Sequence, residues 1–416
     1  MQSLFDPARH EPLTQAPWTD AAARQAIERI CTSAEAEFDA ATGTWLLHPQ
    51  DEPPEPGYRS HNLYFGAAGV MLALRHLASQ GAVKLQRDHT PWIAQLPERA
   101  AAQAAEEQHG NASYLFGESG ALLLAWMATR RDSFADRLFD VVQGNLHNPV
   151  NEPLWGNSGT VLAAIHMAEA SADSRWRPLV QQAVQALLDD MIVDPDTGPW
   201  TWQQGLYGKS TRYVGAGHGL AGNAYPALRG TALVASPAAT ELMQRTLDTL
   251  SAIALPQVIE AATGPVELIN WHVVTDADRL AAWLAKGGHP LVQDCHGAPG
   301  IVCRLASAPR TAEWDRLLLG AGELTWHAGP LAKGPSLCHG TAGNAMACLK
   351  LWRRFGDERW LARGRQLALH AAEQVELARA QHGQGRHSLW TGDLGVACTL
   401  WSAVRGEDQF PTLDHF

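Results

Sequence analysis

The sequence predicts an all-α fold, seven inner helices standing inside seven outer ones as an α/α toroid, and three observations lead there. Glycines separated by two residues recur as Gly66/Gly69, Gly117/Gly120, Gly156/Gly159, Gly219/Gly222, Gly297/Gly300, Gly340/Gly343 and Gly392/Gly395. Each pair runs into a stretch such as VMLALRHLA (70–78), ALLLAWMA (121–128) or VLAAIHMA (161–168), apolar nearly all round a helix and therefore buried on every side. Between them, Ala21 to Phe38, Arg177 to Met191, Thr240 to Leu255 and Arg359 to Ala378 place apolar residues at spacings of three and four, the pattern of an outer layer.

In chain order, Ala21 to Phe38 is the first outer helix, and the acidic, proline-stiffened DEPPEPG (51–57) connects it to the first glycine pair. Successive pairs lie 39 to 78 residues apart, room for one buried and one surface helix per unit. The two longest separations, 156 to 219 and 219 to 297, leave space for loops or hairpins. In the first of them DPDTGPWTWQQGLYGKSTRYV (194–214) reads as a two-stranded excursion over the rim. The glycine pairs are expected at the inner-helix starts, where a missing Cβ permits positive φ and close backbone approach. Length alone suggests two to three domains at about 150 residues each, but the repeats overrule it. Residues 1–416 read as one toroidal domain, with 1–60 supplying an N-terminal helix and linker packed on it.

Charge narrows the function. Lys plus Arg number 32 against 43 Asp plus Glu, a net −11, the wrong sign for wrapping a phosphate backbone, so nucleic acid is not an expected partner. MQSLFDPARH has no basic n-region or apolar h-region, and no apolar run approaches the roughly 18 residues of a membrane span. The expectation is a cytoplasmic protein, monomeric as a closed toroid. Six cysteines are too few for a disulfide framework but suit a metal or thiol site.

Two glycine pairs follow the same dipeptide, in Asp294-Cys295-His296-Gly297 and Leu337-Cys338-His339-Gly340, while Gly217-His218-Gly219 carries histidine alone. Equivalent positions of a toroid face its central funnel, so Cys295, His296, Cys338, His339 and His218 are expected to converge there. Thiolate and imidazole suit zinc, and a catalytic zinc needs only three protein ligands with the fourth position open. Five candidates exceed that need. Adjacent Cys338 and His339 can serve one ion, with Cys295 from the neighbouring unit, leaving His296 and His218 for other work. Cys31, Cys303, Cys348 and Cys398 fall in apolar helical runs and read as small buried hydrophobes.

GAGHGLAGN (215–223), DCHGAPG (294–300) and LCHGTAGN (337–344) carry a specific resemblance, supported by TWQQGLYGK (201–209) and RHSLWTGDLG (386–395). Over essentially its full length the chain resembles the LanC-like family, the lanthionine synthetase cyclases and their eukaryotic-type relatives. The resemblance implies a seven-fold α/α toroid with one zinc at Cys295, Cys338 and His339, and His218 as the catalytic histidine. The cyclases carry an aspartate four residues before the third glycine pair; here Glu152 keeps the carboxylate and lengthens it, as in the eukaryotic-type members. Lys333, five residues before Cys338, matches a lysine of those members, which are associated with phosphate elimination from phosphoserine or phosphothreonine and glutathione addition. It is thus a candidate to steady a phosphate leaving group. Lys209, Tyr207 and Tyr213 raise the same question beside a plain role in packing the rim.

The implied chemistry follows physically. A free thiol has a pKa of about 8.5 and attacks as thiolate, which zinc coordination produces near neutral pH. The sulfur adds to the β-carbon of dehydroalanine or dehydrobutyrine, and the enolate takes a proton at its α-carbon, for which His218 is the candidate acid. Two thiolates and a neutral imidazole cancel the zinc charge, which favours thiol over water activation. The expected substrate is a dehydrated, ribosomally made peptide, supplied by a separate dehydratase; the variant reading takes glutathione as the thiol.

Three alternatives compete. Toroidal glycosidases need paired carboxylates in the funnel, and no repeat-equivalent pair is present. Prenyltransferase-type sites need a carboxylate ligand, for which Asp294 is the nearby candidate. A zinc-stabilised peptide-binding scaffold without turnover is the third, favoured by Asp294 where the family commonly has tryptophan. Trp155, Trp271, Trp326 and Trp390 lie near glycine pairs or long loops, either as core filling or as peptide contacts.

Overall fold

The structure, a computed structural model, describes residues 3–106, 110–206, 208–234, 236–261 and 264–416. Outer and inner helices alternate along the chain. The first three turns of this alternation run α1 (Asp20–Ala36) outside, α2 (Ala67–Ser79) inside, the short α3 (Thr90–Ile93), α4 (Leu96–Glu106) outside and α5 (Glu118–Thr129) inside, then α6 (Asp132–Gly144) outside and α7 (Asn157–Ala170) inside. They continue with α8 (Trp176–Asp189) outside, α9 (Leu220–Gly230) inside, α10 (Pro237–Ala252) outside, the extra helix α11 (Ala277–Ala285), and α12 (Ala298–Leu305) inside. The series ends with α13 (Ala312–Ala328) outside, α14 (Thr341–Phe355) inside, α15 (Glu358–His382) outside and α16 (Asp393–Arg405) inside.

Each inner helix packs on the next, and α16 returns to α2, closing a ring of seven; α1 seals the outer layer against α15 and α16. The expected toroid is therefore the observed fold. Residues 157–168 of α7 are all buried, as the all-round apolar pattern requires. Two outer helices, α1 and α13, start on threonine caps: Thr19 accepts from the Ala22 N–H and Thr311 from that of Trp314.

The inner helices all begin on the first glycine of a pair. The expectation of positive φ holds only at Gly297 (φ 109°); the other six first glycines are extended, between −86° and −133°. Close approach is what demands glycine. A Cβ on the second glycine of each pair would fall within 3.0 Å of the carbonyl oxygen six residues earlier: Leu63, Tyr114, Pro153, Ala216, Asp294, Leu337 or Leu389. The loop before each inner helix is thus folded tightly onto that helix's first turn.

The rim excursion is two small hairpins rather than one, β1 (Ile192–Val193) with β2 (Trp200–Thr201), then β3 (Gln204–Leu206) with β4 (Lys209–Thr211). Asp194 builds the turn of the first: its Oδ1 accepts from the N–H groups of Asp196 and Thr197, and Gly198 completes the turn at φ 89°. A longer hairpin, β5 (Leu255–Ala261) with β6 (Gly264–Asn270), fills the second long separation, and the sequence did not separate it from the outer helix before it. The C-terminal residues enter the ring past the first turns of the inner helices. Tyr114 Oη donates to the Thr412 carbonyl at 2.7 Å, and Asp414 receives Tyr225 Oη at 2.9 Å and Lys350 Nζ at 2.7 Å. Among the described residues no helix is long and apolar enough to cross a membrane.

Candidate metal and catalytic site

The loops before the inner helices meet around one mouth, and their backbones join there. At the residue two before the first glycine of a pair, the N–H donates to the carbonyl of the equivalent residue in the next repeat. Gly217 donates to Cys295 (2.8 Å), Cys295 to Cys338 (3.2 Å), Cys338 to Trp390 (3.0 Å), Trp390 to Tyr64 (2.9 Å) and Tyr64 to Leu115 (3.2 Å). Ser113 Oγ continues the chain to the Leu154 carbonyl at 2.5 Å. The seven residues at this position, Tyr64, Leu115, Leu154, Gly217, Cys295, Cys338 and Trp390, all line a central cavity of about 240 Å³. The residue at this repeat position therefore faces the funnel in all seven repeats.

Two consecutive repeats place sulfur there. The ligand atoms of Cys295, Cys338 and His339 lie within 4.8 Å of one another, with both cysteines buried; Cys338 Sγ is 3.5 Å from His339 Nε2. Two soft sulfurs and an imidazole at this spacing are a zinc-type donor set. The Cys338 thiol is pushed well above its usual range by Cys295 beside it and by burial, so without a cation the pair resists ionising, and a divalent ion relieves that crowding. The residues fit the metal. Gln293, itself buried, donates its amide N–H to Cys295 Sγ at 2.9 Å, and Tyr64 lines the cavity beside Cys338.

His218 lines the same cavity. Its Nδ1 is 3.1 Å from Oε2 of Glu152, a carboxylate with no exposed surface, whose Oε1 accepts the Trp155 N–H at 2.5 Å. That contact fixes the ring's orientation, as a carboxylate behind a catalytic histidine does elsewhere. Glycine brings this loop against the metal loop: a Cβ at Gly217 would lie 2.8 Å from the Cys295 Cβ, and one at Gly215 would lie 2.5 Å from its carbonyl oxygen. His296 stands 5.6 Å from His218 between ring centroids, and Tyr213 lies 5.7 Å from each. Burial pushes His296 down to about 3, so it is neutral at working pH.

The structure thus brings together Cys295, Cys338, His339, His218 and Glu152. It does not bring Lys333 to them: Lys333 is exposed on the loop before Cys338 and does not line the cavity. Lys209 is exposed on β4, and Tyr207 lies outside the described residues. Asp294, the carboxylate a prenyltransferase-type shell would require, is held bidentately by Arg304 at 3.0 and 2.8 Å, both side chains buried. Of the four tryptophans, Trp390 lines the cavity; Trp155 stacks on Phe116, and Trp271 is core, donating to the Leu250 carbonyl. Trp326 packs under Arg363. Tyr64, Gln293 and Arg304 were not singled out from the sequence. Repeat position would have found Tyr64, whereas nothing in the pattern marks the other two.

Comparison with known proteins bears on the fold and the family. The chain is 27% identical over 275 residues to "Glutathione S-transferase LANCL1" of Danio rerio, covering 60% of this chain and 61% of that protein. It is 36% identical over 130 residues to "LanC-like protein GCL1" of Arabidopsis thaliana, covering 29% and 30%. The chain thus spans less than two thirds of the length of either relative. Among solved structures "Nisin cyclase" matches with a TM-score of 0.60 and 15% identity over 92% of this chain and 98% of that one, a likeness of fold. The profile of the family described as "Lanthionine synthetase C-like protein" covers residues 57–414, and the chain therefore belongs to the LanC-like family.

Proposed function

We propose that the protein is a zinc-dependent enzyme that forms thioethers by adding a cysteine thiol to dehydroalanine or dehydrobutyrine in a peptide. The observation that carries this reading is the placement of the Cys295, Cys338 and His339 donors in the same cavity as His218, which is backed by a buried carboxylate. Zinc held by the three donors would supply a positive centre that keeps a substrate thiol ionised near neutral pH.

The chain's own residues do the rest. The aromatic side of the cavity, Tyr64, Phe116 and Trp390, keeps water from the double bond and packs the apolar part of the substrate. The substrate sulfur forms its bond to the β-carbon while the carbon–carbon π pair moves toward the carbonyl, and His218 delivers a proton to the α-carbon. Glu152 holds the ring through Nδ1 during that transfer. The proton lost by the thiol restores the balance through solvent, so one thiol and one alkene give one thioether.

A second reading, glutathione as the thiol donor, is supported by the likeness to the glutathione S-transferase of Danio rerio. One experiment tests both. Zinc per chain is measured on purified protein and on Cys338→Ala, and zinc-loaded enzyme is then given a dehydrated peptide with an internal cysteine or one with glutathione. Cyclisation without external thiol supports the first reading, and mass gain by one glutathione supports the second. Folded wild-type protein without zinc overturns both.

A further inference from the structure

We propose that Gln293 is a positioning residue that donates a hydrogen bond to the Cys295 ligand sulfur, so that this sulfur is a poorer nucleophile than substrate sulfur in the cavity. This rests on the zinc reading. A site built from two cysteines has a selectivity problem that a site built from histidines lacks. Its own sulfurs are nucleophiles set beside an electrophilic alkene, and attack by either would alkylate and destroy the site. A sulfur that accepts an N–H or O–H bond has part of its charge withdrawn and one lone-pair direction occupied, which slows its attack.

Cys295 Sγ has a dedicated donor, Gln293 Nε2 at 2.9 Å. The amide's direction is not arbitrary. Arg9 Nη2 donates to Gln293 Oε1 at 3.2 Å, and because a guanidinium only donates, the oxygen must face Arg9 and the NH₂ group must face the sulfur. The loop also fixes the reach, since the Gln293 N–H donates to the His296 carbonyl at 3.2 Å, bending amide and sulfur onto one side.

Arg9 is itself placed by the N-terminal arm. The Ala332 N–H donates to the Arg9 carbonyl and the Glu11 N–H to that of Pro330, each at 3.0 Å, and His10 Nδ1 lies 3.0 Å from the Gly329 carbonyl. Residues 329–332 run directly into the loop that carries Cys338. The arm therefore ties the loop of one sulfur to the hydrogen-bond donor of the other, from outside the ring.

The test measures which sulfur reacts. Zinc-loaded full-length wild type, Gln293→Leu and Arg9→Ala are treated with iodoacetamide, and the adducts are mapped by peptide mass spectrometry beside a zinc assay of each protein. Gln293→Leu is expected to raise alkylation at Cys295 relative to Cys338 by about 10-fold, with zinc stoichiometry kept. Arg9→Ala, which leaves the cavity wall intact, is expected to shift Cys295 in the same direction by less. Unchanged rates, or a rise shared equally by both cysteines, would overturn the inference while leaving the zinc reading standing. Wild type that holds no zinc would remove both.

Discussion

The mouth of the toroid has two arcs that share a backbone and differ in what they show the cavity. Before α9, α12 and α14 the paired positions read Gly217-His218, Cys295-His296 and Cys338-His339; before α16, α2 and α5 they read Trp390-Thr391, Tyr64-Phe65 and Leu115-Phe116. The second arc forms an aromatic wall. Tyr64 stacks on Trp390 at 6.0 Å and meets Phe116 at 4.8 Å, and Phe116 stacks on Trp155 at 5.2 Å. One run of backbone hydrogen bonds passes through both arcs without a change of register. The glycine pairs and the hydrogen-bonded ring thus fix the scaffold, while two side chains per loop decide the chemistry.

The sharpest way to break this comparison is to empty the same position in each arc. Cys338→Ala removes a donor and is expected to abolish zinc binding and turnover, a loss of at least about 1,000-fold. Trp390→Ala leaves a cavity and is expected to cost about 3 to 5 kcal/mol of stability, with zinc retained. Elemental analysis beside denaturant titration checks the pair, and loss of zinc from the tryptophan variant would show that the arcs are not separable.

Within the chemical arc, His218→Ala is expected to lower kcat by about 100- to 10,000-fold, the usual worth of a general acid, with zinc content unchanged. Glu152→Gln keeps the shape and removes the charge behind Nδ1, so a smaller fall in kcat at unaltered KM is expected. Steady-state kinetics with metal assay separates these from a folding defect. A His218→Ala enzyme as fast as wild type would assign the proton to another group.

How much of this was legible in the sequence depends on what kind of signal carried it. The glycine pairs announced the inner ring because only a missing Cβ lets a carbonyl six residues back sit against the first helical turn, as at Gly300 and Gly343. The Cys-His dipeptides announced a convergence because repeat-equivalent positions face one centre. The positive φ expected of the first glycines failed at all but Gly297, since crowding rather than torsion excludes a side chain there. The first rim hairpin depends on the Asp194 turn between β1 and β2, and α11 sits in a long separation without a glycine pair to mark it. Gln293 and Arg9 meet only because the chain folds back over 284 positions, a contact with no local trace.

Below both walls the C-terminal tail supplies a floor whose stability is expected to depend on pH. Burial lowers His166 to about 4 and His415 to about 3; His166 Nε2 faces the Thr412 carbonyl at 3.3 Å, and His415 stacks on His76 at 3.8 Å. Both are depressed from 6.5, so the unfolded chain takes up protons that the folded chain refuses. Stability contributed by neutral burial is present above about pH 6.5 and is lost as pH falls toward 4 for His166 and toward 3 for His415. Each adds up to about 1.4 kcal/mol per pH unit to the slope. Denaturant titrations at several pH values should show a shallower acid slope for His166→Phe than for wild type; equal slopes would mean that His166 is protonated in the folded state.

The smallest expected effect falls on Lys333, and it decides whether the chemical arc extends beyond the cavity. Lys333 is exposed on the loop that leads to Cys338, outside the cavity lining, so a side chain with no partner in that cavity has little to lose there. Thiol addition to a dehydroamino acid develops charge at the substrate carbonyl, not on a leaving phosphate, and for that reaction Lys333→Ala is expected to change kcat/KM by less than about 2-fold, or roughly 0.4 kcal/mol. Phosphate elimination from a phosphoserine peptide makes the opposite demand, because the departing dianion needs a cation. Measuring both reactions on the same variant therefore sharpens the comparison at its edge. A large loss confined to phosphopeptide would place Lys333 in a leaving-group site reached from the rim, whereas a large loss in thiol addition would mean that this loop closes over the cavity when substrate is bound.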